Sequence, residues 1–154
     1  MVGYQTFSNN KNIYSVDMMF AYINIFKPKS IKIPISELLK NLEGKSWGDP
    51  EKKIYYSAMD VIKNPKNKKY KDDNNRIKKA NLNYPIMIDD KNNIIDGVHR
   101  LSKAYSQNKK YIKAYVFDKE IMKKFLVNNN GNWKKIDNME IYQYIELFHK
   151  KFYK

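Results

Sequence analysis

The stretch Ile94-Ile95-Asp96-Gly97-Val98-His99-Arg100-Leu101-Ser102-Lys103-Ala104-Tyr105 decides how the rest of the chain is read. Two β-branched residues end a strand, Asp96-Gly97 makes a tight turn, and His99, Arg100 and Lys103 fall on the first turns of a helix. A helix start leaves N–H groups without acceptors and carries a partial positive charge. Donor and cationic side chains added to that end make a phosphate site. Gly97 lets the backbone approach an anion with no Cβ in the way. The amides of Val98, His99 and Arg100 can donate to phosphate oxygens, and the Arg100 fork can take two of them. His99 can donate a hydrogen bond or move a proton near neutral pH. Lys103, one helical turn on, extends the positive face or simply meets solvent. Asp96 binds a divalent metal, orients His99, or only caps the turn.

Upstream, Pro85 to Ile88 is a short apolar strand, Asp89 to Asn93 a turn, and Asn93 to Asp96 the returning partner of a hairpin. Downstream, the helix runs from Val98 to about Asn108, and Tyr111 to Phe117 alternates as a further strand. Further out, Ser30 to Pro34 reads as a strand and Ser36 as the cap of a helix that ends at Gly44. Residues 44–50, with Trp47, read as a loop. Ser57 caps a helix that must end before Pro65. Residues 63–79 carry eight basic side chains against Asp72 and Asp73. They read as a solvated loop or as a loop closing over an anion. Residues 1–12 read as a polar start, and 13–26 as a strand or a helix opened by Ser15. Lys119 to Val127 reads as helix and Asn128 to Asn132 as a linker. Asp137 or Asn138 caps a last helix whose Ile141, Tyr142, Ile145, Phe148 and Phe152 share one face, read most simply as core packing.

The chain has 154 residues, 42% of them hydrophobic, which is enough for one domain with a real core. It has no cysteine, which excludes disulfides, thiolate metal sites and a cysteine nucleophile. Only His99 and His149 could supply imidazole ligands, so a structural zinc site is not expected. No run has the apolar length of a membrane span, and the start lacks a secretory signal pattern. The expectation is a soluble, cytoplasmic protein with no membrane partner. The net charge of +14 points to a polyanion, DNA or RNA among them, or reflects a composition rich in Lys, Asn, Ile and Tyr together. Arginine is scarce, with only Arg76 and Arg100, although it is the preferred residue for bidentate phosphate contacts.

A hairpin strand that feeds D-G-V-H-R-L at a helix start resembles the ParB/sulfiredoxin superfamily, in which Gly, a variable residue, then His-Arg or Arg-Arg holds nucleotide phosphates. The surrounding order resembles it too: I-K-I-P-I-S-E-L-L before the motif, Tyr84-Pro85-Ile86-Met87-Ile88 leading in, and Tyr111 to Phe117 after it. The resemblance covers about residues 30–117. It implies an α+β fold, a small mixed sheet with flanking helices. Residues 30–118 would form the nucleotide-binding core, 1–29 an N-terminal extension packed on it, and 119–154 a C-terminal helical extension, in one compact domain. It also implies ATP, ADP or CTP with Mg²⁺ as ligand, held by Gly97, Val98, His99, Arg100, Lys103 and Arg76, with Asp96 as metal ligand.

The departures narrow this. Sulfiredoxins carry Cys where Val98 stands, so their sulfinic-acid chemistry is not expected. ParB proteins carry a second Arg where His99 stands and a helix-turn-helix module for which 118–154 is too short. The His-Arg form is similar to branches that cleave or transfer phosphates, where a carboxylate acts as base on the acceptor. Glu37, Asp60, Asp72 and Asp73 are the candidates, with His99, Arg100 and Asp96 as the catalytic set. The expected activity is Mg²⁺-dependent nucleotide hydrolysis or phosphoryl transfer to a small acceptor, as a hydrolase or kinase. The alternative is a basic nucleic-acid-binding protein or a ParB-like nuclease.

Overall fold

Short strands and short helices alternate along the chain, and the sheets they form are small. The structure, a computed structural model, describes residues 5–128 and 140–153. It is α+β and divides into two compact units, residues 30–116 and residues 1–29 with 117–154. The N- and C-terminal segments, which read as separate extensions in the sequence, thus belong to one unit.

Residues 30–116 begin with β3 (Ile31–Pro34), so numbered because β1 (Thr6–Asn9) and β2 (Asn12–Ser15) precede it in the other unit along with α1 (Val16–Phe26). A 3₁₀ turn, Ile35–Leu38, leads into α2 (Lys40–Glu43). Ser36 is therefore not a helix cap: it sits exposed inside the 3₁₀ turn, which starts earlier because Ile35 is buried and its N–H donates to the Lys110 carbonyl at 3.0 Å. The predicted loop around Trp47 is instead a hairpin of β4 (Trp47–Asp49) and β5 (Ile54–Tyr56), with Trp47 opposite Tyr56. Strands of three residues are too short to show alternation, and so the pattern hid them.

α3 (Ala58–Lys63) is opened by a full capping box. The Ser57 hydroxyl accepts from the Asp60 amide at 3.1 Å, and the Asp60 carboxylate accepts from the Ser57 amide at 2.9 Å. These bonds to Ser57 hold the Asp60 carboxyl below the usual carboxylate range. A lowered folded pKa stabilises the fold above the unfolded value near ~4, and that contribution is lost as the pH falls through the folded value. Ser57→Ala should cost about 1 kcal/mol at neutral pH. Asp60→Ala should cost a similar amount at about pH 7 and distinctly less at about pH 3. Urea denaturation at the two pH values checks this, and an equal cost at both would show that the charge of Asp60 plays no part.

The basic run is not a loop. It forms a 3₁₀ turn, Lys68–Tyr70, and then α4 (Lys71–Lys79). The only buried residue of α4 is Ile77, so no apolar stripe announces that helix. Its charges are nevertheless ordered for a helix: Asp72 and Asp73 lie in the first turn, and Arg76, Lys78 and Lys79 in the last. β6 (Ile86–Asp89), β7 (Ile94–Asp96), α5 (Val98–Ser106) and β8 (Tyr111–Phe117) follow as the sequence predicts. β8 ends in the other unit with Phe117.

The four-stranded sheet has the order β3-β8-β6-β7. β3 pairs antiparallel with β8, and β6 antiparallel with β7. Asp89 closes the β6–β7 turn by accepting from the amides of Lys91 and Asn93. Asn41 ties α2 to this hairpin, since it accepts from the Ile94 amide at 2.9 Å and donates to the Asn92 carbonyl. Ile35, Leu38, Leu42, Ile86, Ile88, Leu101 and Ile112 form the core between sheet and helices. A smaller cluster of Tyr56, Val61, Tyr70 and Ile77 lies under α4.

The other unit pairs β1 with β2 and β2 with β9 (Leu126–Asn128), all antiparallel. The N-terminal segment is thus a hairpin rather than an uncommitted start. Ser15 ends β2 and caps α1, its hydroxyl accepting from the Met18 amide, so residues 13–26 are strand and helix in turn. α6 (Lys119–Phe125) stops two residues short of the predicted end, where β9 begins. Tyr22, Phe117, Phe125 and Phe152 form an aromatic cluster with ring centroids 5.1–6.1 Å apart for the contacting pairs. α7 (Ile141–Tyr153) forms, but its predicted apolar face is core only in part: Phe148 and Phe152 are half-buried and Phe152 joins the aromatic cluster, whereas Ile141, Tyr142 and Ile145 are exposed and Tyr144 is the buried residue. Asn128, the first residue of the predicted linker, ends β9 instead; the rest of that linker, 129–132, and the caps Asp137 and Asn138 lie outside the described residues. No helix among the described residues is long and apolar enough to cross a membrane.

Candidate functional site

The turn between β7 and α5 has the predicted geometry. Gly97 adopts φ +111°, a conformation that L side chains rarely take. A Cβ there would lie 2.6 Å from Ile86 Cγ2. The first intrahelical bond of α5 runs from the Leu101 amide to the Gly97 carbonyl, so the amides of Val98, His99 and Arg100 precede the helical ladder. Gly97 has no side chain with which to cap them. The Val98 side chain packs against the core.

His99 is the centre of the site. Its Nε2 lies 3.1 Å from Asp73 Oδ1, and the Tyr56 hydroxyl donates to Asp73 Oδ2 at 2.6 Å. The Trp47 indole stacks on the imidazole, centroids 4.6 Å apart and planes 18° from parallel. Four elements meet here: α5 supplies His99, α4 supplies Asp73, and the β4–β5 hairpin supplies Trp47 and Tyr56. Burial and the adjacent Asp73 push the Tyr56 phenol up to about 12. A raised folded pKa keeps the phenol a donor throughout the neutral range, and its stabilising effect is lost only as the pH climbs from the ordinary value near ~10 through about 12.

An ionised carboxylate only accepts hydrogen bonds. With Asp73 ionised, the proton of neutral His99 therefore sits on Nε2, and Nδ1 keeps its lone pair. Both oxygens of Asp73 are engaged, one by Tyr56 and one by His99. Asp73 thus orients the imidazole, and the imidazole is the group left to take a proton.

Two clefts adjoin at this residue. One, of about 610 Å³, is lined by Trp47, Tyr56, Asp72, Asp73, Arg76 and His99, together with Asp49, Lys52 and Lys69. The other, of about 440 Å³, is lined by Arg76, Lys79, Asp96, Gly97, His99 and Arg100. His99 and Arg76 belong to both. The first mixes carboxylates and cations, whereas the second sets Arg76, Lys79 and Arg100 against Asp96 alone.

The remaining sequence-predicted residues divide. Arg100 is partly committed to the fold: Nη1 donates to the carbonyls of Tyr84 and Pro85 at 3.2 and 2.9 Å, and Nη2 to Asp96 Oδ2 at 2.5 Å. Lys103 donates to the carbonyls of Lys78 and Ala80 at 2.8 and 2.7 Å, holding the C-terminal end of α4. It lines neither cleft. Asp60 belongs to the capping box of α3, and exposed Glu37 lies in the 3₁₀ turn, away from both clefts. Of the carboxylates proposed as base, Asp73 alone contacts His99. Trp47 and Tyr56 were not foreseen, because they reach the site through the unrecognised hairpin. Among the described residues no three His, Asp or Glu side chains cluster to hold a metal.

No family model matches the chain, and neither the curated proteins nor the solved structures include a match to it.

Proposed function

We propose that residues 30–116 are a nucleotide-binding domain of ParB/sulfiredoxin type that catalyses hydrolysis or transfer of a phosphoryl group. The observation that carries this reading is the Tyr56–Asp73–His99 chain of hydrogen bonds set beside the Gly97 turn. The phosphates occupy the cleft of Gly97, Lys79 and Arg76, where the α5 amides and two cations favour negative charge. Arg100 braces this turn and adds positive charge to it. The acceptor, water or a small hydroxyl compound, sits in the neighbouring cleft of Trp47 and Tyr56. His99 Nδ1 takes its proton as it attacks the terminal phosphorus, and the bond from that phosphorus to the bridging oxygen breaks, the shortened nucleotide leaving with the negative charge on that oxygen. Trp47 covers one face of the imidazole and excludes water from it.

Mg²⁺ commonly takes one or two carboxylates together with phosphate oxygens. Arg100 engages Oδ2 of Asp96, which leaves Oδ1 to offer, so Asp96 fits that role. The ion would supply charge neutralisation on the phosphates.

Trp47 and Trp133 are the two indoles of the chain. In a Trp133→Phe background, Trp47 emission should change when ATP, ADP or CTP is added with Mg²⁺, and calorimetry should give the matching affinity. Arg76→Ala should weaken the preferred nucleotide about tenfold or more, the loss expected for a charge-assisted contact. Absence of binding to all three at millimolar concentration overturns the reading.

A further inference from the structure

The sheet carries a second basic surface that shares no residue with the two clefts at His99. α5 ends in a Schellman turn: the Asn108 amide donates to the Tyr105 carbonyl and the Lys109 amide to the Ala104 carbonyl, both at 3.0 Å, with Asn108 left-handed at φ 54°. That turn fixes the backbone of Lys109 and Lys110 just before exposed Tyr111. Lys109, Lys110 and Tyr111 form a ridge between two troughs of about 470 and about 350 Å³. Lys32 and Lys113 line the second trough, and no carboxylate lines either one. The clefts at His99 contain Asp49, Asp72, Asp73 and Asp96, so this surface differs from them in kind.

Lys32 on β3 and Lys113 on β8 are direct cross-strand partners, and both are exposed. Like charges directly opposite each other weaken a strand pair. Lysine on an edge strand such as β3 can serve to block edge pairing. That accounts for Lys32, but not for Lys113 on the interior strand β8. None of the four lysines makes an ion pair with a described residue. Among the described residues no ion pair offsets this like-charge contact, and a polyanion would relieve it.

We infer that the ridge of Lys109, Lys110 and Tyr111, with Lys32 and Lys113, binds the backbone and bases of single-stranded nucleic acid. The lysines contact phosphates, and the exposed tyrosine ring offers a face on which a base can stack, as in sequence-tolerant single-strand binding. The troughs on either side of the ridge give the neighbouring bases a place to lie. Duplex offers no free base face, so the single strand is the form this surface fits.

The test is fluorescence anisotropy of the full chain with a labelled oligo-dT of about a dozen nucleotides. Four lysine contacts predict a salt slope of about −3, hence a ~50-fold loss of affinity between about 50 and about 200 mM salt. Tyr111→Ala should lose about fivefold or more. Lys32→Glu should lose about tenfold and flatten the slope, one contact being removed and a repulsion added. The same substitution turns the Lys32–Lys113 repulsion into an attraction, so its Tm should rise by about 1–4 °C. Affinity falling while Tm rises rules out unfolding as the cause. Asp73→Asn should leave oligonucleotide affinity unchanged, which separates this surface from the site at His99. No binding at about 50 mM salt, where the slope predicts the tightest complex, overturns the inference. So does wild-type affinity in Lys32→Glu. Binding to phosphatidylcholine–phosphatidylserine vesicles, with Tyr111→Ala holding the oligonucleotide as well as wild type does, would assign the patch to anionic lipid instead and likewise overturn it.

Discussion

Gly97→Ala should destabilise the protein by about 2–6 kcal/mol, more than any surface substitution in the chain. Two separate penalties add. An L residue held at φ +111° is strained by about 1–3 kcal/mol. The new methyl would also lie 2.6 Å from Ile86 Cγ2 and 3.0 Å from Arg100 Nη2. Ile86 is fully buried on β6 and cannot move aside, and overpacking of this kind costs about 1–3 kcal/mol. The penalties can be separated. Ile86→Ala removes the Cγ2 atom and costs stability of its own by leaving a cavity. In the double variant the clash with Cγ2 should vanish, while the contacts with Ile86 Cβ and Arg100 Nη2 at 3.0 Å and the backbone strain remain, giving a favourable coupling of about 1–2 kcal/mol. Urea denaturation of the four proteins measures it. Strict additivity would show that the Ile86 Cγ2 contact is not felt.

The local character of this turn is why the sequence displayed it. Asp96 to Arg100 are contiguous, and their conformation follows from a glycine between a strand and a helix. The same holds for the Ser57 box and the Asp89 turn, where side chain and backbone partners lie within four residues. What the sequence hid is what arrives from a distance. Asp73 meets His99 across 26 positions, and nothing in K-D-D-N-N-R distinguishes it from Asp72 until α4 is known to be a helix. Recognising that helix would have required weighing its ordered charges above its missing apolar stripe. Trp47 and Tyr56 depended on a hairpin whose strands are too short to alternate visibly. Arg100 and Lys103 illustrate a different limit. Their charge is plain in the sequence, but backbone carbonyls at Tyr84, Pro85, Lys78 and Ala80 compete for that charge, and carbonyls leave no mark on a residue pattern.

Asp73→Asn should lower turnover of the preferred nucleotide by 10²–10⁴, about the full contribution of a positioned general base. Nucleotide affinity should change little, because the phosphate cleft is lined by Gly97, Lys79 and Arg76 and not by Asp73. The expected effect follows from the proton on His99. The carboxylate can only accept, which keeps that proton on Nε2 and leaves Nδ1 basic. Asparagine presents an amide whose oxygen suits the Tyr56 hydroxyl donor. Its NH₂ then faces Nε2, which must accept, and the proton moves to Nδ1, where a base is needed. Tyr56→Phe leaves the carboxylate in place and removes only one of its donors, so turnover should fall about tenfold, the order of one hydrogen bond to a charged group. Nitrogen-15 chemical shifts of the His99 ring report the tautomer directly, whatever the substrate. They should show Nε2 protonated in the neutral wild-type ring and in Tyr56→Phe, and Nδ1 protonated in Asp73→Asn. If the asparagine variant changes tautomer yet keeps full turnover, His99 is not the base. If it loses affinity while turnover at saturation persists, Asp73 belongs to the binding surface rather than to the orientation of the imidazole.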